Sequence, residues 1–353
     1  MSSLSWALGG AYEAFWHRTF WLAGGTSWAD FAGNGSRGLD YPQPREMYTP
    51  LLLGPVFFAA RLLLESLVLM PLLYASGCFQ RRLDDAGSLA QLVTTHLSGG
   101  FLQQTKPKKL VEMAYQLFYY SAVSAFGCVA LADKSWLWDV KQCWTDYPHH
   151  DVGGSIRWLY LFQETYYVSS LMSIMFDTRR KDYWMMLIHH ATSALLVYIS
   201  WTINFVRVGT LMLLLHDVSD VPLVLTKLII ASDISRSYVN VSFLVFLATW
   251  VLCRLVYYPL VLLRSALLDG PELIQSSYRW ENLMQPPFVP RLVLIMMVTL
   301  LMLHLIWTYM VVRIIYQMIQ NSVCQDIRSE DEDEEEDDDD DDDERPANDK
   351  KNR

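Results

Sequence analysis

The sequence predicts an all-α polytopic membrane protein with seven transmembrane helices, and three observations predict it. Hydrophobic residues make up 52% of the chain and aromatic residues 13%, a composition typical of membrane proteins. Seven apolar stretches, at 51–75, 111–132, 155–176, 183–203, 207–230, 240–263 and 291–318, each approach the ~20 residues a bilayer requires. Two of them, lying on either side of Ile203-Asn204-Phe205, carry ionisable groups at membrane depth.

Residues 1–50, rich in Gly, Trp and Pro, read as an extramembrane arm. Asn34-Gly35-Ser36 is an N-glycosylation sequon, usable only on the lumenal side. The first span, 51–75, serves as the targeting signal, since no cleavable signal peptide precedes it. Within it Arg61 and Glu65 are four apart and are expected to pair across one turn. A polar cytosolic linker follows at 76–105. An N-terminus in the lumen places Arg81, Arg82, Lys106, Lys108 and Lys109 in the cytosol, then Arg179, Arg180 and Lys181, then Arg236. That matches the positive-inside bias, because the opposite loops, 133–154 and 264–290, are poorer in basic residues. Asn240-Val241-Ser242, a second sequon, then falls at a cytosolic helix end and stays unmodified. The net charge of −10 comes from one place: Glu330 to Glu344 is all acidic, and without those fifteen residues the chain carries +5. The segment 323–353 cannot bury a core and reads as a disordered cytosolic tail. Ser329, just ahead of the acidic run, suits an acid-directed kinase. Cys78, Cys128, Cys143, Cys253 and Cys324 show no paired spacing, so no disulfide framework is expected.

The stretch from Asp177 to Lys227 carries the chemistry. His189 and His190 lie two turns into one span, and His216, Asp217 and Asp220 lie near the middle of the next. A purely structural contact between two helices is the plainer reading, but ionisable groups at this depth are costly and usually functional. Spacings of three, four and seven put His216, Asp217, Asp220 and Lys227 close to one helical face. His189 shares a face with Thr192, Ser193 and Ser200, and points about 100° away from His190. His189 is therefore the histidine expected to face a polar cavity.

In order, these residues read His189, His190, Ser200, Trp201, Asn204, Arg207, Gly209, His216, Asp217, Ser219, Asp220 and Lys227. The pattern resembles the Lag1 motif of the ceramide synthases, within the wider TLC-domain family. Lys109, Glu112, Tyr115, Tyr119 and Tyr120 resemble the family's opening block, and DTRRKD (177–182) resembles its basic turn. The likeness runs from about 106 to 330, with two departures: the family usually has a Glu near Val224, and Pro222 stands inside the helix. It implies a TLC-type bundle of six helices around a lipid cavity, with the catalytic domain at 106–322. It also implies an endoplasmic-reticulum enzyme that joins the acyl group of a fatty acyl-CoA to the amine of a sphingoid base. The linker is too short for the homeobox-like domain of many animal members, so the likeness is closest to the branch lacking a complete one, which favours stearoyl-length chains.

A histidine suits this chemistry because its pKa near 6.5 lets it act as base or nucleophile at cytosolic pH. His189 either accepts the acyl group as an acyl-imidazole or deprotonates the amine, and His190 either shares that role or supports it from behind. Asp217 and Asp220 attract the ammonium, orient a histidine, or share a proton between them. Substrate contacts are expected from His216, Ser193, Ser200, Asn204 and Arg207, and contacts to the CoA phosphates from Arg179, Arg180, Lys181 and Lys227. No cofactor and no metal are expected, with acyl-CoA as co-substrate. His17, His96, His149, His150 and His304 stand outside any box, whereas di-iron membrane oxidases use several. Membrane lipid, a dimer with itself or a related synthase, and the tail kinase are the other expected partners; nucleic acid is not one. The loop 264–290 is expected to set acyl length, by family resemblance and because an eighteen-carbon chain of ~20 Å would cross most of the ~30 Å hydrocarbon depth. The alternative function is a non-enzymatic TLC-domain protein that binds lipid or associates with the translocon. The orientation has a direct test: Asn34→Gln should migrate on a gel like the enzymatically deglycosylated wild type, and a protease added to sealed microsomes should remove the tail but spare residues 1–50. A protected tail reverses the topology.

Overall fold

A computed structural model describes residues 10, 12–31, 40–79 and 87–321, so Asn34, Arg81, Arg82, Cys324, Ser329 and the acidic tail lie outside the described residues. Among the described residues there are helices and loops and no strand. Eight helices carry the structure: α1 (Pro44–Ala75), α2 (Leu89–Leu97), α3 (Lys106–Leu131), α4 (Gly154–Ser173), α5 (Tyr183–Thr202), α6 (Val206–Ala231), α7 (Arg236–Ile274) and α8 (Val289–Asn321). A helix occupies each of the seven segments the sequence marks. Five of them (α1, α3, α6, α7 and α8) are long and apolar enough to cross a membrane. The other two, α4 and α5, are 20-residue helices.

The helix boundaries follow local chemistry. Ser88 begins α2 with a capping box to Gln91, and Thr105 accepts from the Lys108 N–H at the start of α3, where Pro107 fits the first turn. Pro222 does not break α6, because a bundle can satisfy the backbone groups a proline frees. The wider i→i+5 stretch at Val251–Leu263 accompanies Pro259 and turns Arg254 and Tyr258 inward, both buried. α7 is longer than the sequence predicts. The expected loop 264–290 stays helical through Ile274, which leaves a loop of 275–288.

α6 is the hub, packing on α3, α5 and α7, while α8 lies against α5 and α7. α1 packs along α4, and a Cβ at Gly54 would sit 2.4 Å from Val168 Cγ1, so only glycine allows that approach. The expected Arg61–Glu65 pair forms at 2.7 Å, and it belongs to a larger cluster. Arg61 also reaches Asp177 at 2.8 Å and covers the Tyr115 ring, and His96 of α2 lies 3.4 Å from Glu65. Glu112 accepts the Thr178 N–H and lies 3.5 Å from the Lys108 ammonium. The basic turn between α4 and α5 is thus pinned from α1 and α3. Removing one member of a buried ionic cluster leaves the others uncompensated. Arg61→Ala should therefore lower stability in detergent by about 3–5 kcal/mol, read as a lower melting temperature, with Arg61→Lys falling between.

Candidate functional site

Two cavities stack end to end along the bundle. Following α5, Tyr183 to His190 line one and Ser193 to Ser200 the other. On α6 the change falls between His216 and Asp220, and on α8 between Leu300 and Trp307. The outer cavity is walled by Tyr160, Tyr167, Leu213 and Met297 and bordered by residues of the 133–154 and 275–288 loops. The inner cavity is the more polar of the two, with Arg61, Glu112, Asp177, Arg180 and Lys227 among its lining.

His189 and His190 both line the inner cavity, with ring centroids 5.6 Å apart. The 100° between them does not separate their surroundings as the sequence suggested, because the cavity is wide enough to take both. His189 packs edge-on to Trp307 and His190 lies against Tyr167. The Nδ1 atom of each is buried without a hydrogen-bond partner, so both imidazoles have an unused position.

The expected aspartate pair is divided. Asp217 is buried, lines neither cavity, and accepts from Gln163 Nε2, whose Oε1 accepts from Tyr119 Oη at 2.8 Å. Asp220 lines the inner cavity and is bound 2.5 Å from Arg254 Nη2. Three residues turn a helix by 300°, which leaves 60° between the two carboxyls. On a hub helix with α3 on one flank and α7 on the other, 60° sends them to different neighbours. Each carboxyl has its own hydrogen-bond partner.

Arg254 and His304, which the sequence reading missed, complete the partition between the cavities. Arg254 donates to Ser219 Oγ at 2.9 Å and lies 3.1 Å from His304 Nε2. His304 Nε2 is in turn 3.2 Å from His216 Nε2. His216 Nδ1 donates to the Met212 carbonyl at 2.7 Å, which leaves its Nε2 as the acceptor in the neutral ring. A signal for Arg254 existed: it is an arginine inside the sixth span, subject to the same rule that singled out the histidines.

The other expected contacts divide by depth. Ser193 and Ser200 line the outer cavity, and Ser200 Oγ is 3.0 Å from Tyr160 Oη. Arg180 and Lys227 line the inner one, while Arg179 and Lys181 are exposed beside its mouth. Asn204 and Arg207 line neither cavity and instead hold the 133–154 loop. Asn204, at φ 57°, donates to the carbonyls of Pro148 and His150 at 2.9 and 3.1 Å. Arg207 donates to the Gln142 carbonyl at 2.8 Å and stacks over Trp136. In that loop burial, then the Arg207 charge, push the His150 pKa down to about 4, so the ring stays neutral while bonded to the Thr145 carbonyl. Val224, where the resemblance leads one to expect a Glu, is a buried apolar wall of the inner cavity. Cys128, Cys143 and Cys253 are free thiols. Among the described residues, no three His, Cys, Asp or Glu side chains are grouped as metal ligands.

This helical bundle, with two histidines and Asp220 lining one of two stacked cavities, is a TLC-domain protein: the TLC domain model matches residues 109–313. Ceramide synthase hyl-1 of Caenorhabditis elegans is 36% identical over 318 residues, covering 90% of this chain and 83% of its own. Ceramide synthase hyl-2 of the same organism is 32% identical over 314 residues, covering 88% and 91%. Human ceramide synthase 5 is 28% identical over 354 residues, covering 90% and 86%. The chain belongs to the ceramide synthases of the TLC-domain family, and it is an acyltransferase.

The tightest point in the site is testable. A Cβ at Gly209 would sit 1.7 Å from Tyr160 Oη, so the Tyr160–Ser200 contact exists only because residue 209 is glycine. Gly209→Ala should cost about 1–3 kcal/mol by overpacking, seen as a lower melting temperature. Adding Tyr160→Phe, which removes the clashing oxygen, should restore part of it.

Proposed function

We propose that the protein is a ceramide synthase of the endoplasmic reticulum that acylates a sphingoid base from a fatty acyl-CoA at the junction of its two cavities. The observation that carries this is the position of the two unpartnered imidazole nitrogens: their rings line the more polar cavity together with Arg180 and Lys227, next to the apolar one. The basic mouth suits the phosphates of CoA, and the apolar cavity suits the acyl chain. In the covalent route an imidazole nitrogen of His189 attacks the thioester carbonyl, its C–N bond forms, and the C–S bond breaks to release the CoA thiolate. The amine then displaces the imidazole to form the amide, and its proton passes to the thiolate. In the direct route His189 takes that proton while the amine attacks the thioester itself. His190 supports either route, and Asp220 beside the same cavity attracts the incoming ammonium. Asp217 acts through Gln163 as a positioning residue.

The same reading has all seven segments crossing the membrane, with the arm in the lumen and the tail in the cytosol. Residues 106–322 form the catalytic domain, in a homodimer or a dimer with a related synthase. Asn34 carries a glycan and Ser329 a phosphate; both lie outside the described residues.

Membranes containing the chain, given sphinganine and a panel of acyl-CoAs, should yield dihydroceramides. His189→Ala should abolish them without lowering protein abundance, and Asp217→Asn or Asp220→Asn should cost at least ~10²-fold. Near-normal turnover in well-folded His189→Ala protein would sink the mechanism.

A further inference from the structure

The N-terminal arm, outside the matched TLC domain, is built into the outer cavity. Trp21 and Ala23 both line it, and Trp21 is only 4% exposed. The arm is fastened to the far loop at two points. The Gly24 N–H donates to Gln275 Oε1 at 2.9 Å, and the Phe288 N–H donates to the Phe20 carbonyl at 2.9 Å. Gln275 itself lines the cavity. The indole of Trp21 is held in one orientation. It stacks on Trp16 at 5.2 Å, meets Phe15 and Phe20 edge-on, and donates from Nε1 to the Phe15 carbonyl at 2.7 Å. A large, fully packed ring at the end of an apolar cavity is a hard stop, since a chain that reaches it cannot displace it without breaking those contacts.

Register places that stop at the right depth for a chain end. From the partition at His216, the α6 wall of the outer cavity rises eight residues to Val208, about 12 Å at 1.5 Å per residue. The α8 wall spans ten, Leu300 to Pro290, about 15 Å. Trp21 and Ala23 lie past those ends, among Trp144, Ile274 and Tyr278. An alkyl chain entering from the histidines would run the length of the cavity and end at the arm.

We infer that Trp21, with Ala23, forms the floor against which the methyl end of the acyl chain is measured, so that the N-terminal arm shares the choice of acyl length with the loop 275–288. This rests on the proposed acyl transfer. Each methylene that finds apolar cover is worth about fourfold in preference, so a floor moved by two carbons changes product ratios by about fifteenfold.

The test compares wild type, Trp21→Ala and Ala23→Phe in membranes given sphinganine and an equimolar panel of acyl-CoAs of graded length. Trp21→Ala should raise the ratio of products two carbons longer to the wild-type product by about fifteenfold. Ala23→Phe should move the distribution the other way. Should Trp21→Ala fail to accumulate, Ala23→Phe and the wild-type cross-link below still decide. In the wild type, an acyl-CoA carrying a diazirine at its methyl end should label the peptide containing residues 19–24 on irradiation. Two folded, active variants with the wild-type distribution overturn the inference, as does a label confined to other segments. A wild type that makes no product from any acyl-CoA overturns the proposed reaction instead, and the cross-link then still reports whether an alkyl chain ends at the arm.

Discussion

A cation in the middle of an apolar bundle sets the rest of this structure. The Arg254 guanidinium is buried in the bundle, so its donors must be met at that depth by protein groups. Asp220 meets it at 2.5 Å, and Ser219, His216 and His304 surround the remaining donors. Those partners come from α6 and α8, so the neutralisation of one charge ties three helices at a single level. That level is also where the inner cavity gives way to the outer one. The polar partition and the helix register are one feature seen from two sides.

The two halves of the Lag1-like motif follow this division. His189, His190, Asp220 and Lys227 face the inner cavity. Trp201, Asn204 and Arg207 are spent on the opposite end. The Trp201 indole donates to the Gln43 carbonyl, Asn204 fixes the carbonyls of Pro148 and His150, and Arg207 clamps Gln142 and Trp136. These contacts close the outer cavity against the aqueous side. Residues that look like one motif in the chain therefore serve two tasks about 20 Å or more apart along the helices, by the rise from His189 to Asn204.

At the inner end the cluster of Arg61, Glu65, Asp177 and Glu112 does comparable work. It joins α1, which lies outside the TLC domain, to the basic turn that carries Arg180. The mouth of the inner cavity thus depends on a helix the domain itself does not contain. The outer end depends likewise on the arm, through Gly24, Phe20 and Trp21.

The sequence by itself determined the helical class, the location of the seven long helices though not the start of α1 or the far end of α7, and the paired histidines as the centre of interest. These are properties of local composition and spacing, since an apolar run of bilayer length and a 3.6-residue period need no knowledge of neighbours. The Arg61–Glu65 pair was legible for the same reason: four residues on a helix are one turn wherever the helix lies. What crosses between helices was not legible. Nothing in the spacing of Asp217 and Asp220 tells that α3 and α4 claim one and α7 the other. Only the packing of α8 against α5 and α7 brings His304 to His216, from 88 residues away in the chain. The arm read as a segment outside the membrane because its Gly, Trp and Pro carry no period. The tertiary structure seats it in the outer cavity because buried indoles need apolar cover, and a hydrophobic surface records how much area it buries, not which part of the chain supplied it.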